Sequence, residues 1–185
     1  MLEIFQYSFM LRAFAAGIII GSVAPLIGTF LVARRYALIA DSLSHVSLAG
    51  VALGLLTGIY PLYTALVVVI GVALVIEWLR TSRTVSGDTA LAIFLSGGLA
   101  VAITLIGLAH GFSVDLFSYL FGSITTVRSI DVWTIGLLGI AVVAIILLLY
   151  KELFYISLDE EVAAVSGIPT KRLNTVLIIL TAVTV

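Results

Sequence analysis

Asp41-Ser42-Leu43-Ser44-His45 stands at the head of the apolar run from Val46 to Tyr60. At about 100° per residue, a helix puts Asp41 and His45 one turn apart on one face. Gly50, Gly54 and Gly58 fall on a roughly opposite face, at the four-residue spacing that lets a second helix come close. One face therefore carries a carboxylate and an imidazole, and the other is expected to pack. In a chain this apolar the pair is the main clue, because ionisable side chains inside a membrane are costly to keep.

The chain has 185 residues, of which 62% are hydrophobic and 10% charged; an ordinary soluble domain is about 25% charged. Its mean hydropathy is +1.30. A water-soluble fold of this length could not hide so much apolar surface, so the composition implies an integral membrane protein, all-α, with its spans bundled. A net charge of −1 argues against nucleic acid as a partner. The absence of cysteine excludes disulfides, thiolate metal sites and iron–sulfur clusters. No basic region precedes the first apolar stretch, so the first span is expected to persist in the mature protein rather than be cleaved.

A span needs about 20 apolar residues. The first is expected from Leu11 to Ala33, kinked at Pro25 and ended by Arg34 and Arg35; the second from Ala37 to Ile59. The third covers Leu62 to Leu79, the fourth Thr89 to Ala109 and the fifth Val132 to Tyr150. Between the last two, Asp115 to Ile124 is too short to cross and reads as a surface or re-entrant helix. A polar segment from Lys151 to Asn174 precedes the start of a sixth apolar run. Five full spans and the beginning of a sixth make residues 1–185 a single transmembrane domain.

At about 1.5 Å per residue from the Arg34–Arg35 edge, His45 lies well into the bilayer. Carboxylate oxygen and imidazole nitrogen suit zinc, manganese or iron(II), and not copper(I), whose soft ligands are absent. A site of transit should offer few ligands, because a closed four-ligand site retains its ion. The blander reading is an Asp41–His45 hydrogen bond, or an ion pair of Asp41 with Arg34 or Arg35. His110 and Asp115 are further possible ligands, although such residues at a span end are more often solvated or capping.

A second informative stretch runs from Ser157 to Pro169, where Ser157 and Glu160 have capping-box spacing. Gly167 and Pro169 supply a stop signal, and Leu158, Val162 and Val165 make a narrow apolar edge. A short helix over 157–168 is expected, of a kind that a soluble partner can grip. The rival reading, a helix flat on the lipid surface, fits poorly with its acidic first turn. No G-x-x-x-x-G-K-[ST], H-E-x-x-H or G-x-S-x-G occurs, so ATP binding through a P-loop, metalloprotease and esterase chemistry have no motif support.

Together these blocks resemble the membrane permease of the prokaryotic ABC-type zinc/manganese/iron uptake systems. The resemblance is carried by Asp41 to His45 with Ser47 to Gly54, by Asp115 to Ser123, and by Asp159 to Gly167. It implies a fold like that of a type II ABC importer permease, in a prokaryotic cytoplasmic (inner) membrane. It further implies a two-fold permease dimer, ATP-binding subunits on the cytoplasmic face that carry out hydrolysis, and a metal-binding protein docking outside. The permease itself is then not an enzyme and holds no permanent cofactor. Asp41 and His45 match the family's metal path, and Glu160, Glu161, Ala163 and Gly167 its ATPase-coupling helix. Ala49 stands where many members have proline, and members continue through further spans, so this chain is expected to be cut short.

The alternative function is an ion- or proton-coupled secondary cation transporter, with Asp41 and His45 as a proton relay. A non-transporting membrane assembly subunit is a third reading, favoured only if the pair faces lipid or a dry contact. Basic residues set the expected orientation. Placing the loops at 34–35, 80–88 and 151–174 inside puts Arg34, Arg35, Arg80, Arg83, Lys151, Lys171 and Arg172 there, leaving Arg12 and Arg128 outside with the N-terminus. Because the chain has no native cysteine, Ser8→Cys should react with an impermeant thiol reagent in intact cells and Ser86→Cys should not. Labelling at position 86 would reverse the topology.

Overall fold

Inside lipid, an apolar run satisfies its own backbone only as a helix or in a closed barrel. The structure, a computed structural model describing residues 7–82, 85–108 and 127–185, takes the first course. Its helices are α1 (Ser8–Ala33), α2 (Ala37–Thr57), α3 (Pro61–Thr81), α4 (Gly87–Leu108), α5 (Ser129–Leu148), α6 (Tyr150–Leu158), α7 (Glu160–Val165) and α8 (Thr170–Thr184). Among the described residues there is no strand. The first five helices are long and apolar enough to cross a membrane. The segment from Asp115 to Ile124, and His110 before it, lie outside the described residues.

α2 packs between α3 and α4, α1 lies along α5, and α8 rests on α3 while touching α1 and α5. Burial follows this arrangement: half of α2's apolar window is buried, against 17% for α4 and for α5, which sit at the margins. The tightest part of the core draws Ile27, Leu43, Ile76, Leu153, Ile156 and Leu177 from five different helices. Trp78 and Trp133 are exposed near opposite ends of the bundle, as indole rings are where lipid meets water.

Where helices touch in lipid, packing rather than water exclusion holds them, and small residues decide how near they come. A Cβ on Gly50 would lie 2.6 Å from the Ala65 Cα, and one on Gly54 2.8 Å from the Pro61 Cα. From α4, a Cβ on Gly98 would lie 3.0 Å from the Val46 nitrogen. Gly58 does not belong to the packing face. It closes α2 with φ at 72°, and a Cβ there would meet nothing within 4 Å. Its backbone conformation, not its lack of bulk, explains the glycine.

Both ends of the bundle are fixed by local bonds. Arg35, one residue past the α1 C-cap, closes the helix in the left-handed region at φ 59°, with its N–H donated to the Val32 carbonyl at 3.1 Å and that of Tyr36 to Leu31 at 2.8 Å. At the opposite end Asp131 accepts from the Arg128 N–H at 2.8 Å and from the Tyr60 hydroxyl, tying the α2–α3 turn to α5. Burial, then that hydrogen bond to Asp131, pushes the Tyr60 pKa up to about 12.

The stretch after α5 is more helical than its polarity predicts. Ser157 lies inside α6 and donates back to the Leu153 carbonyl at 2.6 Å, so it caps nothing. Asp159 is the cap of α7, accepting from the Glu161 and Val162 N–H groups at 2.9 and 3.0 Å. The helix is accordingly shorter than 157–168. Gly167 follows it with φ 84°, where the Gly167 and Ile168 N–H groups return to Ala164 and Ala163, a Schellman closure. α8 then begins at Thr170, so Asn174 is a buried helical residue and not the end of a polar loop.

Gly50→Val forces a branched side chain against the α3 backbone and should lower stability by about 1–3 kcal/mol, whereas Gly17→Ala, with nothing within 4 Å of its Cβ, should not. Thermal unfolding in detergent checks this; equal midpoints would mean that α2 and α3 separate freely.

Candidate metal-path site

α2 carries Asp41 and His45 at the fifth and ninth positions from its start, so His45 lies about 12 Å along the helix axis. The His45 Nε2 and Asp41 Oδ1 atoms are 3.9 Å apart, too far for a direct hydrogen bond. Side-chain exposure is 62% for Asp41 and 31% for His45, so both keep lone pairs open. Arg34, one candidate ion-pair partner for Asp41, is bonded elsewhere. Further along the same face Leu48 and Ala52 are buried, so this face closes just past His45.

The neighbouring positions explain why this face stays open. Ser42 is fully buried, its hydroxyl 3.0 Å from both the Leu38 and Leu91 carbonyls, which sets α2 against α4. Gly98 brings α4 up behind His45, where an added Cβ would come 3.1 Å from the His45 carbonyl carbon. The orientation of the pair is thus dictated by contacts on other faces. Among the described residues no three His, Cys, Asp or Glu side chains gather to hold an ion. Asp41 and His45 can supply one or both of their ligating atoms to a divalent cation that keeps other ligands.

At the basic end lies a cluster that local sequence patterns do not reveal. The Arg34 guanidinium, its side chain only 4% exposed, donates to Glu160 at 2.6 Å and to the Asn174 amide oxygen. The Asn174 Nδ2 donates to the other Glu160 oxygen at 2.7 Å. Glu77, buried in α3, receives both Nε and a terminal nitrogen of Arg80 at 2.9 and 3.0 Å. The Tyr36 ring lies under both guanidiniums, 5.2 Å from Arg34 and 4.6 Å from Arg80. Charge in low dielectric demands such partners.

The four residues assigned by resemblance to partner coupling divide into two sets. Glu160 turns inward to Arg34 and Asn174, and Ala163 is fully buried by this chain. Glu161 and Gly167 are exposed, beside Val162 and Val165, which are also exposed. The outward surface of α7 is thus apolar with an acidic margin. Gly50 and Gly54 serve the α2–α3 contact, while His110 and Asp115 lie outside the described residues.

Comparison with known proteins agrees with this architecture. The model of the "ABC 3 transport family" matches residues 6–185. A probable metal transport system membrane protein of Treponema pallidum is 38% identical over 180 residues, covering 97% of this chain and 67% of that protein. The manganese transport system membrane protein MntC of Listeria monocytogenes is 35% identical, over 97% and 64% of the two chains. The high-affinity zinc uptake system membrane protein ZnuB of Haemophilus influenzae is 31% identical, over 97% and 69%. The solved structure of PsaBC from Streptococcus pneumoniae in complex with Fab superposes with a TM-score of 0.79 at 34% identity, covering 99% of this chain and 66% of its counterpart. The chain therefore spans about two thirds of the length of these relatives. With a matching family model over nearly all its length and five membrane-crossing helices, it is a multi-pass membrane protein that belongs to the ABC 3 transport family.

Proposed function

We propose that this chain forms the membrane-spanning conduit of an ATP-driven importer of divalent transition-metal ions. The observation that carries the reading is the Asp41–His45 pair near the start of α2, whose side chains are 62% and 31% exposed. An ion leaving water needs compensating negative charge and lone pairs. Asp41 offers the only formal negative charge between Glu3 and Glu77. His45 adds a neutral nitrogen ligand one turn away, so the ion can be passed along without being held. Zinc and manganese are favoured by the descriptions of the relatives; iron(II) takes the same ligands.

The working assembly is a permease dimer with separate ATP-hydrolysing subunits and an external metal-binding protein, the N-terminus facing outside an inner membrane. Support for the ATPase contact comes from α7, whose Val162 and Val165 are exposed beside Glu161. A helix capped at both ends by its own bonds keeps its shape when gripped. Asp41 and His45, solvent-accessible in the single chain, would line a path shared with the second copy.

Two measurements test the reading, both on the full-length permease with its ATPase. Asp41→Asn keeps shape but loses charge, so radiolabelled zinc and manganese uptake should fall about as far as in Asp41→Ala and His45→Ala, with the dimer still assembled. Near-normal uptake by Asp41→Asn would make the pair structural, and uptake driven by a proton gradient without ATP would make the chain a secondary transporter. At the other site, Gly167→Leu should leave insertion intact while uncoupling ATP hydrolysis from uptake, because a branched side chain resists φ 84°. Unaltered coupling in that variant would remove α7 from the ATPase contact.

A further inference from the structure

We propose that Arg34, Glu160 and Asn174 are positioning residues, a three-way clamp through which displacement of α7 moves α2 and its Asp41–His45 pair. The inference rests on the transport reading above. Arg34 and Glu160 are separated by 126 residues, and Arg34 and Asn174 by 140, yet the three side chains close on one another. Both terminal nitrogens of Arg34, both oxygens of Glu160, and the oxygen and nitrogen of the Asn174 amide are used. Among the described residues Arg34–Glu160 is the one arginine–carboxylate pair that joins two different parts of the chain; Glu77–Arg80 lies within α3.

The placement of the clamp makes it a transmitter. α7 otherwise packs on α6 and α8, its own neighbours in sequence. Glu160 extends its reach to the end of α1. Arg34 is the C-cap of α1 and is followed by Arg35 at φ 59° and by Tyr36, after which α2 begins. That corner has little slack: its two return bonds to Leu31 and Val32 fix the backbone, and Tyr36 is covered by Arg34 and Arg80. Asp41 lies five residues beyond Tyr36 on a continuous helix.

A buried guanidinium cannot be left without its carboxylate. If α7 shifts, Arg34 must follow Glu160, or else water must enter a position where the Arg34 side chain is 4% exposed. Following is the smaller disturbance, and it carries the start of α2 along. Apolar contacts alone would slide. A closed set of directional bonds is either kept or broken, which suits a link between two arrangements. Glu77 and Arg80 hold the α3 side of the corner with bonds of their own, at 2.9 and 3.0 Å, so movement of Arg34 is directed into α2.

The test uses the full-length permease with its ATPase in proteoliposomes, reading radiolabelled manganese imported per ATP hydrolysed. Glu160→Gln removes the charge and keeps the shape. It should leave ATP hydrolysis within about twofold and lower metal per ATP by about tenfold, within the usual range for coupling between sites. The exchange Arg34→Glu with Glu160→Arg should recover much of the ratio, because the Asn174 amide can turn over and serve the reversed charges. An unchanged ratio in Glu160→Gln overturns the inference. So does a parallel fall of uptake and hydrolysis, or of assembled complex, at constant ratio, since that is what a purely structural clamp would do. If the unmodified complex shows no ATP-dependent uptake, the transport reading fails first and the clamp's role with it.

Discussion

With no side chain at Gly50 or Gly98, α2 comes within a Cβ's reach of α3 on one side and α4 on another. In lipid the gain from such contact is dispersion between close-packed atoms, which falls off steeply with separation. A helix held on two sides at backbone distance has its rotation about its own axis fixed. The fixing contacts are Gly50 against Ala65, Gly54 against Pro61, and Ser42 and Val46 against Leu91 and Gly98. None of them involves the side chain of Asp41 or His45. The ionisable pair is thus aimed by its neighbours, and the Asp41 side chain in particular stays exposed, at 62%.

The same economy of local signals governs what could be read from the sequence. Span order and the close approach at Gly50 and Gly54 were legible, because apolar run length and four-residue spacing are local properties. Gly167 was legible too, since a glycine after a short amphipathic turn has few other uses. Gly58 had the right spacing for packing, but the turn into Pro61 claimed it for a positive φ. Ser157 matched a capping pattern that Asp159, two residues on, filled instead, because α6 runs on to Leu158 and draws Ser157 into its own hydrogen bonding. Polarity misled at Asn174. Its polar neighbours Lys171 and Arg172 suggested a loop, whereas the side chain is buried against Arg34 and Glu160.

Nothing in the local pattern pairs Arg34 with Glu160. Read by position, Arg34 is one of two basic residues marking a membrane edge, and Glu160 one of two acids in a helix's first turn. Both descriptions hold, but one member of each pair is engaged: the Arg34 side chain is buried and Glu160, half-exposed, bonds it, while Arg35 and Glu161 are exposed. What selects the engaged members is tertiary. Arg35 occupies the left-handed position of the α1 closure, which turns it away from the line of α1. Glu160, at the first position of α7, faces the end of α1 across the buried Asn174.

Two sets of polar side chains therefore lie near one end of the same bundle in opposite states. The Arg34–Glu160–Asn174 set is closed, each polar terminus being spent on another, with the Arg34 and Asn174 side chains buried and Glu160 half-exposed at its edge. Asp41 and His45 form an open set, 3.9 Å apart and bonded to neither Arg34 nor each other. A closed set stores position; an open one is free to exchange partners. For a cation in passage the second property matters most, because two ligands leave the ion most of its water and cost little to abandon. Had Asp41 paired with Arg34, a plausible bond by distance along the chain, the carboxylate would have been neutralised and the path left without its charge. By taking up Arg34 with both a carboxylate and an amide from the far end of the chain, the fold keeps that arginine away from Asp41, so that the corner between α1 and α2 can be rigid while the face one turn beyond it remains unspent.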